Sequence, residues 1–289
     1  VELHKQVAEG NVPSELVRAS WIEIAKIEET RLGHVDEAVA AYEKVLSGDP
    51  ADGEALSLLE GLYGRTQRWT DLLGIYRRRL ELTGDLDARE EILSGVARVH
   101  DEQLSDPESA IATYRELLSA DPASSRALTA LDGLFARLGR WSDLADNLQT
   151  RHDATSDAEE QIALMIRLAQ LREEKMNEVE AAVDIYRQVL ARDGGNAEAL
   201  AALERLVMSP AQAVMVAEIL EGVYREGGAY DRLIGVHEIQ VHYAQDPARR
   251  VDLLHRIADL QETALDRADL AFQTFGRALA FSHGDDRSI

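Results

Sequence analysis

Residues 49–76 read DPADGEALSLLEGLYGRTQRWTDLLGIY, and seventy-two residues later, at 121–148, the chain reads DPASSRALTALDGLFARLGRWSDLADNL. Asp-Pro meets Asp-Pro, Ala-Leu meets Ala-Leu, and Trp69 meets Trp141. Self-similarity at this scale marks stacked supersecondary units, each too small to bury its apolar face alone. The same step of 72 carries Ala38 to Ala110 and Ala182, and Tyr42 to Tyr114 and Tyr186. Later anchors arrive after 89 residues, Ala182 to Ala271 and Trp141 to Tyr230, so one insertion of 17 residues near 207–223 accounts for both.

Each 72-residue block holds two helical hairpins. In EEILSGVARVHDEQL, residues Ile92, Val96, Val99 and Leu104 fall on one face at helical spacing, and in ESAIATYRELLSAD so do Ala110, Tyr114, Leu117 and Leu118. No stretch alternates like a half-buried strand, so the chain is expected to be all-α. Three capping boxes are expected to start helices, at Ser105-Asp106-Pro107-Glu108, Ser156-Asp157-Ala158-Glu159 and Ser209-Pro210-Ala211-Gln212. A broken helix over about 1–9 precedes seven hairpins, over 14–48, 52–83, 86–120, 123–153, 157–192, 196–243 and 247–281. The sixth is enlarged by the insertion, whose apolar series Val214, Ile219, Leu220 and Val223 predicts an added helix. Gly194-Gly195 and Gly227-Gly228 bracket that region and are read as helix terminators rather than as a turn in the array's direction. Aromatics are only 5% of a chain that is 45% apolar, so Ala and Leu carry the burial, as close helix–helix contact requires. Trp21, Trp69 and Trp141 are expected to pack on neighbouring helices, and Met165, Met176, Met208 and Met215 to fill core.

With these anchors in place the chain resembles the tetratricopeptide repeat, a 34-residue helix–turn–helix unit. Trp21, Ile24 and Ala25 match its opening. Leu128, Leu131, Phe135, Gly139, Trp141 and Leu144 match the anchors through its turn. Ala38 and Tyr42, then Ala110 and Tyr114, match its second helix, with Pro50 and Pro122 at the exit. Spacings of 34 and 38 alternate between successive units, from Ala38 to Leu72 to Ala110. Two departures stand out: Leu148 replaces an aromatic and Gly194 a proline. The resemblance covers about 14–281 and implies an α–α superhelix, a single solenoid of the whole chain. It implies a protein-interaction scaffold that holds a protein or peptide on the groove lined by first helices. The Asn-containing carboxylate clamp of some members is not expected, since the asparagines are Asn11, Asn147, Asn177 and Asn196. A regulatory sensor answering a peptide or small ligand is the alternative.

A net charge of −22 argues against nucleic acid and anionic membrane surfaces, both of which require clustered Lys and Arg. It suits solubility and equally a basic partner. There is no cysteine, no H-E-x-x-H, no phosphate loop after a strand and no nucleophile signature, so neither enzyme activity, metal nor cofactor is expected. No apolar run reaches 18 residues, so no membrane insertion is expected and the cytoplasm is the expected location. The opening VELHKQVAEG has no initiator Met and no signal-peptide pattern, and it starts inside a helix, as a piece of a longer protein would. Self-association through a bare end of the array is a further expectation.

For the groove, the register picks out Glu29, Asp101, Glu173 and Glu262, acidic in all four long units. The next residues are Thr30, Glu102, Glu174 and Thr263, and two short units place Arg65 and Arg137 in a corresponding column. One reading is a mainly acidic groove with periodic arginines for a basic or mixed-charge segment. The other is a solvated face on which Lys26 with Glu29, and Arg98 with Asp101, make i,i+3 pairs of about 0.2–0.5 kcal/mol.

Overall fold

Asp49, Asp121 and Asp193 each fold the chain back between two helices in the same way. The Asp carboxylate accepts from the backbone N–H two residues on (Ala51 3.0 Å, Ala123 3.1 Å, Gly195 3.2 Å). The next helix is then capped by Asp52, Ser124 or Asn196, which accept from Ala55, Ala127 and Ala199 N–H. The carboxylate holds this turn, so Gly194 stands in for proline without loss.

The computed structural model describes residues 1–8 and 13–281, which form sixteen α-helices and no strand. By contact they fall into two compact units, Val1–Arg137 and Leu138–Ile289. The first contains α1 (Glu2–Ala8), α2 (Ser14–Ile27), α3 (Val35–Gly48), α4 (Gly53–Arg65), α5 (Trp69–Leu82), α6 (Leu86–Arg98), α7 (Pro107–Ala120) and α8 (Ser125–Leu138). The second contains α9 (Trp141–Ala154), α10 (Ala158–Glu174), α11 (Val179–Arg192), α12 (Ala197–Leu206), α13 (Ala213–Glu226), α14 (Tyr230–Tyr243), α15 (Pro247–Thr263) and α16 (Ala268–Phe281). The expected hairpins are present in sequence order. With the insertion, two successive helices, α12 and α13, both hold the register position of α8, so a helix is added rather than a loop.

Close approach is set by alanines in register. Ala25, Ala97, Ala169 and Ala258 are fully buried, as are Ala55, Ala127 and Ala199. Around them, Tyr42, Leu59 and Leu62 fill the core of the first unit, and Tyr186, Val183, Leu203 and Leu220 that of the second. A larger side chain at an alanine column would force the helices apart, at about 1–3 kcal/mol.

Helix ends repeat too. The long first helices unwind wide, α2 and α6 through π-helical turns at Glu28–Leu32 and Val99–Gln103. The amide six residues on closes each end, His34 to Glu28, Asp106 to His100, Glu178 to Arg172 and Arg267 to Gln261, at 2.7–2.8 Å. Side chains double this clasp in two copies: Glu28 with His34 at 2.9 Å and Arg172 with Glu178 at 2.8 Å. The turn needs one left-handed residue, and it is Gly33, Ser105, Asn177 and Asp266, spaced 72, 72 and 89. The short units use Gln67, Gly139 and Gly228, spaced 72 and 89.

Several local expectations shift. Helix α7 is capped by Asp106 and α10 by Asp157, one residue after the expected Ser105 and Ser156. Ser105 is the left-handed residue of the preceding turn and is not free to cap (φ 53°). Ser209 starts no helix: its hydroxyl bonds Gln212 at 2.7 Å within a tight turn, and α13 begins at Ala213. Met165 is buried, but Met208 is 73% exposed in the turn that ends α12, and Met215 lies on the surface of α13. Gly227 and Gly228 end α13, and Gly194 and Gly195 lie in the turn after α11. The broken helix at 1–9 is α1 up to Ala8, and its last residue lies outside the described residues.

Candidate functional site

The groove column lies where the long first helices end. In the first unit, Glu29 accepts from the Arg65 guanidinium of α4 and faces the Tyr42 hydroxyl of α3 at 3.5 Å. Asp101 accepts from Arg137 in the same way, 36 residues on. In the second unit, Glu173 accepts from Arg205 Nη1 at 2.5 Å and from the Tyr186 hydroxyl at 3.3 Å. The i,i+3 pairing does not form here: Lys26 reaches Glu54 instead, at 3.3 Å. Each pair therefore ties a first helix to the next first helix, with a second-helix tyrosine below two of the three.

The two charges are unequally placed. The side chains of Glu29, Asp101 and Glu173 are 15, 20 and 7% exposed, whereas those of Arg65, Arg137 and Arg205 are 63, 57 and 59% exposed. What faces solvent at this column is the outer edge of a guanidinium whose inner edge is occupied. Exposed Glu102 and Glu174 stand beside it. Glu262, the fourth acid of the column, is exposed, and Phe275 stands at the register position of Tyr42 and Tyr186. Burial, followed by the nearby Glu29 charge, pushes the Tyr42 phenol up to about 12, and burial with Glu173 raises Tyr186 likewise. The Glu173 bond is also the main cause that raises Arg205.

Arg205 is four residues short of the position the period assigns to it. Helix α12 stops at Leu206, so the register partner of Arg65 and Arg137 is Ser209, in the turn, and the guanidinium comes from one helical turn earlier. A second acidic column, Glu60, Asp132, Glu204 and Glu221, follows the same 72 and 89 steps on the short units. Glu60 takes Arg79, Glu204 takes the Tyr224 hydroxyl and Arg232 (2.8 Å), and Glu221 takes Gln240 (2.8 Å), Arg225 and Arg256 (3.4 Å). Asp132 is 3% exposed. Among the described residues no group of three or more His, Asp or Glu is placed to hold a metal ion, and no helix is long and apolar enough to cross a membrane.

Such an array of helical hairpins, tied through periodic charge pairs, is the architecture of a repeat protein. Tetratricopeptide-repeat models match residues 19–52 and 55–90, and those residues are assigned to that family. No curated protein matches the sequence. Among solved structures the chain is similar to a tetratricopeptide repeat protein from Parabacteroides merdae, at 16% identity, with 94% of this chain and 95% of that one covered and a TM-score of 0.38. It is also similar to the C-terminal part of a TPR repeat-containing protein from Cytophaga hutchinsonii, at 15% identity over 94% and 97% of the chains, TM-score 0.39. A third is the MamA protein, at 16% identity over 61% and 91%, TM-score 0.37.

Proposed function

We propose that the chain is a non-catalytic protein-interaction scaffold, a single solenoid that holds a partner segment along its first-helix faces in the cytoplasm. The observation that carries the site is the uneven exposure of the Glu29–Arg65, Asp101–Arg137 and Glu173–Arg205 pairs. Each arginine is pinned by one carboxylate and keeps donors free, so little side-chain freedom is lost when a partner carboxylate or carbonyl docks. Exposed Glu102, Glu174 and Glu262 offer acceptors beside them. This favours an extended segment carrying both charge signs over a purely basic one.

The test is capture of partners from lysate at about 50 and 300 mM salt, which separates screened from apolar contacts. It compares the wild-type chain with an Arg65→Gln, Arg137→Gln, Arg205→Gln variant shown by circular dichroism to be folded. Partners lost at high salt and lost to the variant support the column as the site. A folded variant that keeps every partner overturns it.

A further inference from the structure

Away from the groove column, the second helices α9 and α11 stand over α10 and enclose a cavity of about 280 Å³. Its floor is apolar: Leu148, Leu164, Leu168 and Ile185. At its rim stand Arg172, Arg192 and His152 with a single acid, Asp184, which already pairs with Arg187 at 2.9 Å.

The rim is particular to this copy of the repeat: the first-unit counterparts of His152, Arg172, Asp184 and Arg192 are Leu80, His100, Ala112 and Ala120.

Two rim groups are left unsatisfied. His152 Nδ1 bonds Asp153 at 2.8 Å, so the ring proton lies on that nitrogen, and Nε2 is buried with no partner. Arg172 spends Nη1 on Glu178, and its Nε is buried with no acceptor. A buried guanidinium N–H without an acceptor is penalised until something supplies one.

We propose that this cavity binds a carboxylic acid on a compact apolar group, such as a free aromatic or branched acid or the C-terminus of a chain ending in an apolar residue. The apolar group rests on Leu148, Leu164, Leu168 and Ile185. The carboxylate accepts from Arg172 Nε and from His152 Nε2, which takes up one proton on binding, either the acid's own or one from solvent. Small shifts of the two side chains bring those atoms to the ligand.

The probe is sodium benzoate, titrated into the full chain and followed by methyl NMR, with benzyl alcohol as the uncharged control. Saturable shifts are expected in α9–α11, with Kd on the order of 1 mM, and benzyl alcohol should bind at least tenfold more weakly. Ala181→Phe, which fills the cavity from α11, should abolish binding, and so should Arg172→Met, which serves if the first variant does not fold. A short peptide ending in free Phe, compared with its C-terminal amide, tells a chain terminus from a free acid. The proposal is overturned if benzoate gives no saturable shift, if benzyl alcohol binds as well, or if the folded variants bind unchanged.

Discussion

Gly61 lies one turn before Arg65, and a Cβ on it would sit 3.1 Å from Arg65 Nη1. Its register partners are Gly133 and then Arg205 itself. At Gly61 the glycine makes room for an arginine that folds back toward the acid, whereas at Gly133 nothing comes within 4 Å. Where α12 is cut short, the arginine takes the glycine's place.

That relationship predicts a contrast between two similar changes. Gly133→Ala meets nothing within 4 Å and should gain the usual helix-interior benefit of about 0.8–1 kcal/mol. Gly61→Ala should gain clearly less, because Arg65 must move off Glu29. Urea midpoints of the two variants decide it, and equal gains would show that the arginine needs no such space.

The left-handed positions predict stabilisation. Gln67 and Ser105 hold φ of 58° and 53° where their register partners Gly139, Gly228 and Gly33 are glycine. Gln67→Gly and Ser105→Gly should each stabilise by roughly 0.5–1 kcal/mol, the left-handed penalty less the added freedom of the unfolded chain. Asn177→Gly should change little, since asparagine tolerates this conformation. Chemical denaturation with m-values held constant tests all three.

At high pH the buried tyrosines should destabilise the fold. Burial raises Tyr42 to about 12, Tyr224 also to about 12, and Tyr114 and Tyr186 in the same direction. The phenol is protonated in both states below about 10, so the stabilisation is fully present there. Above that the unfolded chain ionises first, and stability falls as pH rises toward about 12, on the order of 1–2 kcal/mol per tyrosine. The urea midpoint should drop over this range, and Tyr42→Phe should flatten the drop. A flat midpoint up to pH about 11 contradicts the assignment.

At the first cap, two roles can be separated. Asp52 caps α4 through Ala55 N–H and also holds Arg18, whose guanidinium is the main cause that keeps the carboxyl below its ordinary range. Since Ser124 and Asn196 cap the equivalent helices without charge, Asp52→Asn should keep the cap and cost under about 1 kcal/mol, against about 1–2 for Asp52→Ala. The ion-pair share is present above the carboxylate range, about 4, and is lost as pH falls through the depressed value. Thermal melts at neutral and acid pH compare wild type, Asn and Ala variants.

Most of the fold is legible in the period, because burial and turn chemistry repeat with it. Ala25, Ala97 and Ala169, or Asp49, Asp121 and Asp193, do the same job in each copy. The site is legible only in part. Glu29, Arg65, Asp101 and Arg137 follow from register, but whether an acid is covered depends on a residue more than thirty positions away on another helix. Arg205 escapes because α12 ends a turn early and moves the cation off the period, and register alone does not show that Glu262 stays exposed. The capping box led by Ser105 misleads for a local reason: the preceding helix needs a left-handed residue there, so the cap passes to the aspartate after it.

The added helix α12 has a last consequence. After it, Gly228 still answers Gly139, Asp246 still caps as Asp157 does, and Asp266 takes the left-handed turn of Asn177. A frame displaced by seventeen residues is recovered within a single hairpin, so each hairpin sets its own phase from its own turns and caps and keeps no count from the start of the chain. Such a molecule tolerates splicing at its turns: whole helices can be gained or dropped there, and the hairpins on either side carry no record of the change.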